Sequence, residues 1–441
     1  MTPDILATFP DLISNKIISI NEAYEIVKDG DTITTSMAAC EPRGFYSELH
    51  KASLNWKSVK VLGANPMQNY PCFQTPDLNK HINLKVMFLT PEVRAYQGGE
   101  LIHYVPQHLS QWVNNMKLVG PPDIFWGSCS VPDHRGFISL GPGACYEPEV
   151  LRMAKKVILE INPQLPFTSG GTIFDASDAD HFITNDYQLP TISSAEPNAT
   201  DLKIAQHITP LIDDGSTIQL GIGGIPNAVA LGLKDKKDLG VHTEMMNDAM
   251  VSLYEQGVIT CRRKTYFPNK VIATFALGGD KLYKFVDCNP MVEFYPASIV
   301  NDPARISRNY KMTSINTAVE VDITGQVCSE SVGHRELSGV GGAMDTHIGA
   351  QRAEGGRGII AIHAAGYNKH TKEGYSKIVF ELQPGAKVSI GRNDIDTIVT
   401  EYGIAELRGK SVAERARSLI EIAAPQFREK LLFDAKKYHY I

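Results

Sequence analysis

The sequence predicts an α/β protein built from two similar halves, and three repeated features predict it. Asp29-Gly30-Asp31-Thr32-Ile33 and Asp214-Gly215-Ser216-Thr217-Ile218 are near-copies of each other. Each is followed by an Asp-x-x-Gly turn, beginning at Asp133 and Asp322, after 104 and 108 residues. A third echo sets Asp180-His181-Phe182-Ile183 against Asp396-Thr397-Ile398-Val399. Strand and helix signals alternate in both halves, which favours mostly parallel sheets.

In the first half, residues 19–27 read as a helix stopped by Asp29-Gly30, and residues 32–35 as the strand after it. Residues 60–63 and 85–89 are short β-rich runs, 150–155 a helix and 156–161 an apolar strand. Residues 193–199 lack periodicity and contain Glu196-Pro197-Asn198, the pattern of a linker. The expected domains are therefore 1–194 and 195–441. The second half repeats the order. A helix over 201–212 has Leu202, Ile204, Ala205 and Ile208 as its apolar face, and a strand over 217–220 runs into Gly221-Ile222-Gly223-Gly224-Ile225-Pro226-Asn227. From the Asp-x-x-Gly turn to the third echo the second half is longer, 74 residues against 47. The extra stretch holds Gly339-Val340-Gly341-Gly342, the densest glycine cluster of the chain. A glycine-rich addition to one of two duplicated halves points to a functional cleft with the second half as its main wall.

Composition excludes several classes of function. The net charge of −6 and the absence of like-charge blocks argue against a nucleic-acid surface. Seven dispersed cysteines with no C-x-x-C suit buried thiols in a reducing compartment. Residues 1–20 lack a basic region followed by an apolar core, and no run approaches 18 uninterrupted apolar residues. The expectation is a cytoplasmic protein with no membrane span. No His/Cys/Asp/Glu cluster has convincing metal spacing, so no metal is expected.

The first chemical candidate is Gly221-Ile222-Gly223-Gly224-Ile225-Pro226-Asn227-Ala228-Val229. Its glycines let the backbone approach a ligand, and the helix after it offers unpaired N–H groups. Pro226 breaks the dinucleotide fingerprint, and no Gly-Lys-Ser/Thr follows, so neither phosphate motif is complete. A tight strand-to-helix turn without a ligand fits the same pattern. The second candidate is Glu244 in His242-Thr243-Glu244-Met245-Met246-Asn247-Asp248, expected at the start of a helix or in the turn before it. A carboxylate there is either an exposed first-turn residue, stabilised by the helix dipole, or a nucleophile. His242 reads as structural. Asn301-Asp302-Pro303 reads as an Asx-capped turn, and Gly339–342 as a loop long enough to carry function.

These segments, together with Asn316-Thr317-Ala318-Val319-Glu320-Val321-Asp322-Ile323-Thr324-Gly325 and the run from Thr400 to Glu429, resemble the acetyl-CoA hydrolase/transferase family. That family groups with the class I, glutamate-dependent coenzyme A transferases. Residues 204–431 carry the resemblance most strongly, and the 4-hydroxybutyrate and butyryl-CoA:acetate branch is the most similar. The resemblance implies two NagB/ribose-5-phosphate-isomerase-like domains, that is, two coenzyme A transferase-like α/β domains with the active site between them. It implies Glu244 as the nucleophile and Asn301 as the group polarising the thioester carbonyl. Gln219, Leu220, Gly221, Ile222, Gly223 and Lys369 match the coenzyme-binding positions, and Gly341 and Gly342 the substrate-carboxylate contact. It further implies an acyl-CoA and a short-chain carboxylate as substrates, coenzyme A as a substrate rather than a resident cofactor, and a homodimer. An ordinary glutamate, with its pKa near ~4.3, needs no help to be ionised at neutral pH. Three rival readings are open: an acyl-CoA hydrolase of the same family, a non-catalytic binding or regulatory protein on this scaffold, and a nucleotide-dependent enzyme.

Overall fold

Thr32 and Thr217 each begin a strand that pairs in parallel on both sides, and the two halves are built outward from those strands. The computed structural model describes residues 11–441 apart from residues 64, 97, 120 and 370. The first ten residues of the segment read for a leader therefore lie outside the described part. Among the described residues no helix is long and apolar enough to cross a membrane.

The chain divides into two compact units, residues 1–192 with 272–300, and residues 193–271 with 301–441. The first unit centres on a seven-stranded parallel sheet. Its strands are β1 (Thr32–Thr35), β2 (Val59–Gly63), β3 (Ile82–Val86), β4 (Ile102–Tyr104), β5 (Ile124–Cys129), β6 (Lys156–Ile161) and β7 (His181–Thr184). They lie in the order β7-β6-β5-β1-β2-β3-β4. In the second unit, β8 (Thr217–Leu220), β9 (Gly240–Met246), β10 (Met312–Thr317), β11 (Arg357–Ala361), β12 (Thr397–Thr400) and β13 (Gly403–Glu406) lie in the order β13-β12-β11-β10-β8-β9. All these pairings are parallel except β12 with β13. Central parallel strands are covered on both faces and must be apolar throughout. Ile33, Trp126, Ile158, Ile218, Ile315 and Ile359 accordingly sit at 0 % exposure.

The order β7-β6-β5-β1-β2 repeats as β12-β11-β10-β8-β9, and the repeated sequence motifs make the same hydrogen bonds. Asp29 Oδ1 accepts from the Lys57 amide at 2.9 Å, and Asp214 Oδ1 from the Lys237 amide at 2.8 Å. Asp133 Oδ1 accepts from the amides two and four residues on, at 2.9 and 2.9 Å; Asp322 does the same at 2.9 and 3.0 Å. The glycines closing these turns, Gly136 and Gly325, have φ of 87° and 99°. Asp180 and Asp396 each accept from the first residues of the neighbouring strand, Val157 at 2.7 Å and Gly358 at 2.8 Å. The duplicated aspartates are thus strand-end caps, which is why they outlast the rest of the repeat.

Two features differ from the sequence reading. First, residues 272–300 group with the first unit although they follow the expected boundary at 194/195. Their backbone explains it: Ala144 N donates to Thr274 O at 2.8 Å, Ala297 N to Cys145 O at 2.8 Å, and Glu293 and Phe294 pair in parallel with Ser169 and Gly170. Second, the extra residues of the second half enter at two places. One piece precedes β11 and holds the Gly339–342 loop. The other follows β11 and forms a hairpin, Ala365–Asn368 against Glu373–Ser376, with Lys369 at its turn.

Candidate active site

Four groups meet at the carboxyl ends of the second unit's parallel strands, where open α/β sheets place ligands. The first is Glu244. It lies inside β9, not at a helix start: the strand runs on to Met246, and the next helix, α4 (Asp248–Glu255), starts only at Asp248. The Asn247 side chain caps that helix by accepting from the Met250 amide, so the chain stays extended through Glu244. Glu244 is half-buried, and Asn301 Nδ2 donates to its Oε2 at 3.1 Å. The Gly342 backbone N–H donates to the same carboxylate. His242, on the same face of β9, is buried with its ring 6.0 Å from the Tyr266 ring.

Desolvation pushes the Glu244 carboxyl up to about 7; the Asn301 hydrogen bond pulls it down, the charge of Asp345 raises it, and the Gly342 amide lowers it. Glu244 therefore departs from the ordinary glutamate expected of it. Burial beside a second carboxyl keeps it half-protonated near neutrality, so at alkaline pH it becomes a poorly solvated, more reactive carboxylate.

Asn301 is fully buried, and Asp302 after it supplies the Asx cap by accepting from Ala304 N at 2.9 Å. The second glycine run ends at Gly342, the N-cap of α5 (Ala343–Arg352). A Cβ added at Gly342 would collide with Asn301 Nδ2 and Glu244 Oε2. Only glycine lets this backbone lie against the carboxylate. Gly341 beside it has φ of 54°.

The first glycine run continues the β8–β10 ladder, with Gly221 N donating to Ile315 O at 3.1 Å. Gly223 has φ of 110°, a conformation strained for any side chain. It caps α3 (Gly224–Gly232) without a side chain over the helix start, and Pro226 in the first turn costs no hydrogen bond. The Asn247 amide reaches Gly221 O at 3.4 Å, tying this turn to the end of the Glu244 strand. In the first unit the corresponding helix, α1 (Arg43–Ala52), has its start filled by protein. Gly44 N and Phe45 N both donate to the Glu160 carboxylate, at 2.9 and 2.8 Å. In the second unit a carboxylate also lies against the helix start, since a Cβ on Gly224 would collide with Asp201 Oδ2, while Gly223 before it has open space around its Cα.

Of the residues expected from the sequence, the structure brings together Glu244, Asn301 and Gly342. Gln219 and Leu220 are buried at the end of β8, Gln219 with its side chain turned onto β10, and Ile222 is 55 % exposed on the turn. Lys369 is exposed on the hairpin, in the wall of a cleft of about 710 Å³ that it shares with Tyr367, Tyr375 and Lys377. Asp345 was missed. Its signal was an acidic residue three positions after Gly342, in the first turn of a helix, but nothing local says that it faces Glu244. The remaining elements of this region are α2 (Ala199–Ile208) and α4 (Asp248–Glu255), which flank β8 and β9 in the chain.

The acetyl-CoA hydrolase/transferase N-terminal domain profile matches residues 13–190, and the C-terminal domain profile residues 278–435. The chain is 36% identical to a 4-hydroxybutyrate coenzyme A transferase of Clostridium kluyveri, over 97% of this chain and 99% of that one. It is 36% identical to a succinyl-CoA:cyclohexane-1-carboxylate CoA transferase of Geobacter metallireducens, over 97% and 96%. The crystal structure of RipA from Yersinia pestis matches with a TM-score of 0.90 at 31% identity, covering 99% of this chain and all of that one. The chain is a member of the acetyl-CoA hydrolase/transferase family.

Proposed function

We propose that this protein transfers coenzyme A between an acyl-CoA thioester and a short-chain carboxylate, with Glu244 as the covalent nucleophile. The observation that carries the reading is the Glu244 carboxylate held between the Asn301 amide and the Gly342 backbone N–H. A carboxylate fixed beside two hydrogen-bond donors has the parts of an acyl-transfer site: a nucleophile and groups able to stabilise a developing oxyanion.

The Glu244 carboxylate attacks the thioester carbonyl carbon. The C–S bond breaks, coenzyme A leaves as a thiolate, and an acyl-glutamyl anhydride remains. The thiolate then attacks the glutamyl carbonyl carbon and expels the first carboxylate, giving a glutamyl-CoA thioester. An incoming carboxylate attacks that thioester, and the two steps run in reverse to give the new acyl-CoA and free Glu244. In each tetrahedral intermediate the negative oxygen accepts from Asn301 or Gly342, and one such donor is typically worth about 3–4 kcal/mol. The glycine turn Gly221–Gly223 takes the coenzyme backbone, and Lys369 on the hairpin pairs with a coenzyme phosphate. Binding energy from this remote part of the substrate offsets distortion at the carbonyl.

The acid differs among relatives of equal similarity. Two relatives at the same 36% identity are named for acids as different as 4-hydroxybutyrate and cyclohexane-1-carboxylate. Acetate as acceptor, with butyryl-CoA or 4-hydroxybutyryl-CoA as donor, is the first pair to test. The reading includes a homodimer, an expectation resting on the family resemblance that light scattering checks, and a reducing, cytoplasmic location, which the seven dispersed cysteines suit.

A mass-resolved exchange panel tests the function. Acyl-CoA is incubated with isotope-labelled carboxylates, alongside a control without acceptor. Transfer predicts new acyl-CoA that appears only with a carboxylate and with ping-pong kinetics. Loss of acyl-CoA at the same rate without an acceptor would identify a hydrolase instead. The pH dependence has a defined sign. Only ionised Glu244 attacks, so kcat/KM for acyl-CoA should rise with pH and level off above about 7, the value for the free enzyme. A profile flat from pH 5 to 9, a range set by roughly two units either side of that value, would remove Glu244 as the titrating group.

A further inference from the structure

Gln219, Ser314, Asn316 and Thr346 form a polar cluster that the transfer chemistry leaves unexplained. Gln219 on β8 and Ser314 on β10 are direct neighbours in register, and Asn316, two residues on, shares the face of Ser314. Thr346 comes down on that face from the first turns of α5. Gln219, Ser314 and Thr346 are 4%, 0% and 3% exposed. The Ser314 hydroxyl lies 2.7 Å from Gln219 Oε1 and 3.0 Å from Thr346 Oγ1. Asn316 Nδ2 donates to Ser314 Oγ and to Thr346 Oγ1, both at 3.1 Å, and Gln219 Nε2 reaches Asn316 Oδ1 at 3.4 Å. With one proton on Ser314, every hydrogen bond in the ring restricts the direction of the next.

The two ends of the cluster reach the two glycine runs. Gln219 leads directly into the Gly221–Gly223 turn, and a Cβ on Gly221 would sit 4.0 Å from Asn316 Oδ1. At the other end the Thr346 amide donates to Gly342 O at 2.9 Å, and the peptide on the other side of Gly342 presents its N–H to Glu244. Four buried or half-buried polar side chains carry a desolvation cost that apolar residues would avoid. What they supply instead is direction, because hydrogen bonds fix orientation and apolar packing tolerates sliding.

We propose that Gln219, Ser314, Asn316 and Thr346 are a positioning network that sets the Gly342 amide against Glu244 in register with the Gly221–Gly223 turn. This rests on the reading of Glu244 as the nucleophile. The network touches neither reacting atom. It fixes where a carbonyl delivered from the first turn meets the donor of the second.

Thr346→Val tests it by replacing the hydroxyl with a methyl of similar volume, which leaves Ser314 and Asn316 facing an apolar group. Ser314→Ala breaks the same ring from the strand side, and Thr346→Ser restores the hydroxyl. In the full-length protein, kcat and the single-turnover rate of borohydride-trapped thioester at Glu244 should fall about tenfold or more in both disruptive variants. The KM for acyl-CoA should change by less than roughly threefold, and Thr346→Ser should return kcat to within about threefold of wild type. The double variant should cost no more than the worse single one, since both break one ring. Folded Thr346→Val and Ser314→Ala proteins with kcat within twofold of wild type would overturn the proposal, even with a lowered Tm. So would a Thr346→Ser protein as slow as Thr346→Val. Absence of exchange in the wild-type enzyme is a separate result: it would sink the transferase reading itself.

Discussion

Glu244→Gln is expected to abolish coenzyme A exchange and, at neutral to alkaline pH, to raise stability. Glutamine keeps the size of the side chain and an oxygen able to accept from Asn301 Nδ2, now 3.1 Å from Glu244 Oε2. It removes the charge and the nucleophile, so turnover should fall to the background of the assay. The stability effect follows from linkage. The folded-state pKa, pushed up to about 7, lies above the ordinary value of 4.5, so the folded protein holds this proton more tightly than the unfolded chain. Stability from the protonated form is complete below the ordinary value and is lost as pH rises through about 7. A neutral glutamine escapes that loss, by about 1–3 kcal/mol at pH 8. The Tm difference between variant and wild type should therefore widen between pH 5 and pH 8, on the order of the span of the shift. Glu244→Asp should behave differently. It keeps the charge but withdraws the oxygen by about 1.5 Å, enough to cost roughly 10²-fold at a near-attack geometry. Wild-type enzyme given acyl-CoA without acceptor should carry a borohydride-reducible thioester on the peptide containing Glu244. A label on another residue, or near-normal exchange by Glu244→Gln, would exclude the covalent glutamate mechanism.

The duplication was legible because it is written in residues that cap strands. Asp29, Asp133 and Asp180, with their counterparts Asp214, Asp322 and Asp396, each accept a backbone N–H that nothing else in the turn would satisfy. The apolar strands between them tolerate exchange among Val, Ile and Leu, so they carry less of the repeat. The glycine turns were legible for a similar reason: Gly223 at φ 110° and Gly342 against Glu244 admit no other residue without strain or collision.

What stayed hidden depends on contacts between distant parts of the chain. Glu244 and Asn301 are 57 residues apart, and no local pattern pairs them. The raised pKa of Glu244 comes first from burial and then partly from Asp345, both properties of the assembled unit. The strand around Glu244 was misplaced because the helix spacing of Ala249, Met250, Leu253 and Tyr254 draws the helix start backwards. The Asn247 cap, which halts it, is one polar residue among several candidates. The route of residues 272–300 was hidden because short apolar strands announce burial without naming a partner. Ser314 and Asn316 share one strand face, but the hydroxyl they meet comes from Thr346 on a separate helix, which no local pattern announces.

Gly342→Ala is expected to be the most damaging change that adds no charge and removes no functional side chain. The new methyl would occupy the space of Asn301 Nδ2 and Glu244 Oε2, and neither can yield freely. Asn301 is fully buried, and Glu244 is held in β9 by pairing of the strand on which it lies. The loop must therefore move instead, carrying the Gly342 N–H away from the carboxylate. Losing one such donor at an acyl-transfer centre costs about 10²–10³ in kcat. The same amide also lowers the Glu244 pKa, so its withdrawal should shift the alkaline plateau of the kcat/KM profile upward from about 7. This second readout separates a displaced donor from general damage to the fold, which would reduce activity without moving the profile. Gly223→Ala is the comparison. A Cβ there meets nothing within 4 Å, and its cost is the strained φ of 110° alone. Strain at that turn should weaken the coenzyme interaction, seen in KM for acyl-CoA, and leave the pH profile in place. Gly342→Ala with wild-type kcat and an unmoved profile would show that the second glycine run lies against Glu244 without serving it.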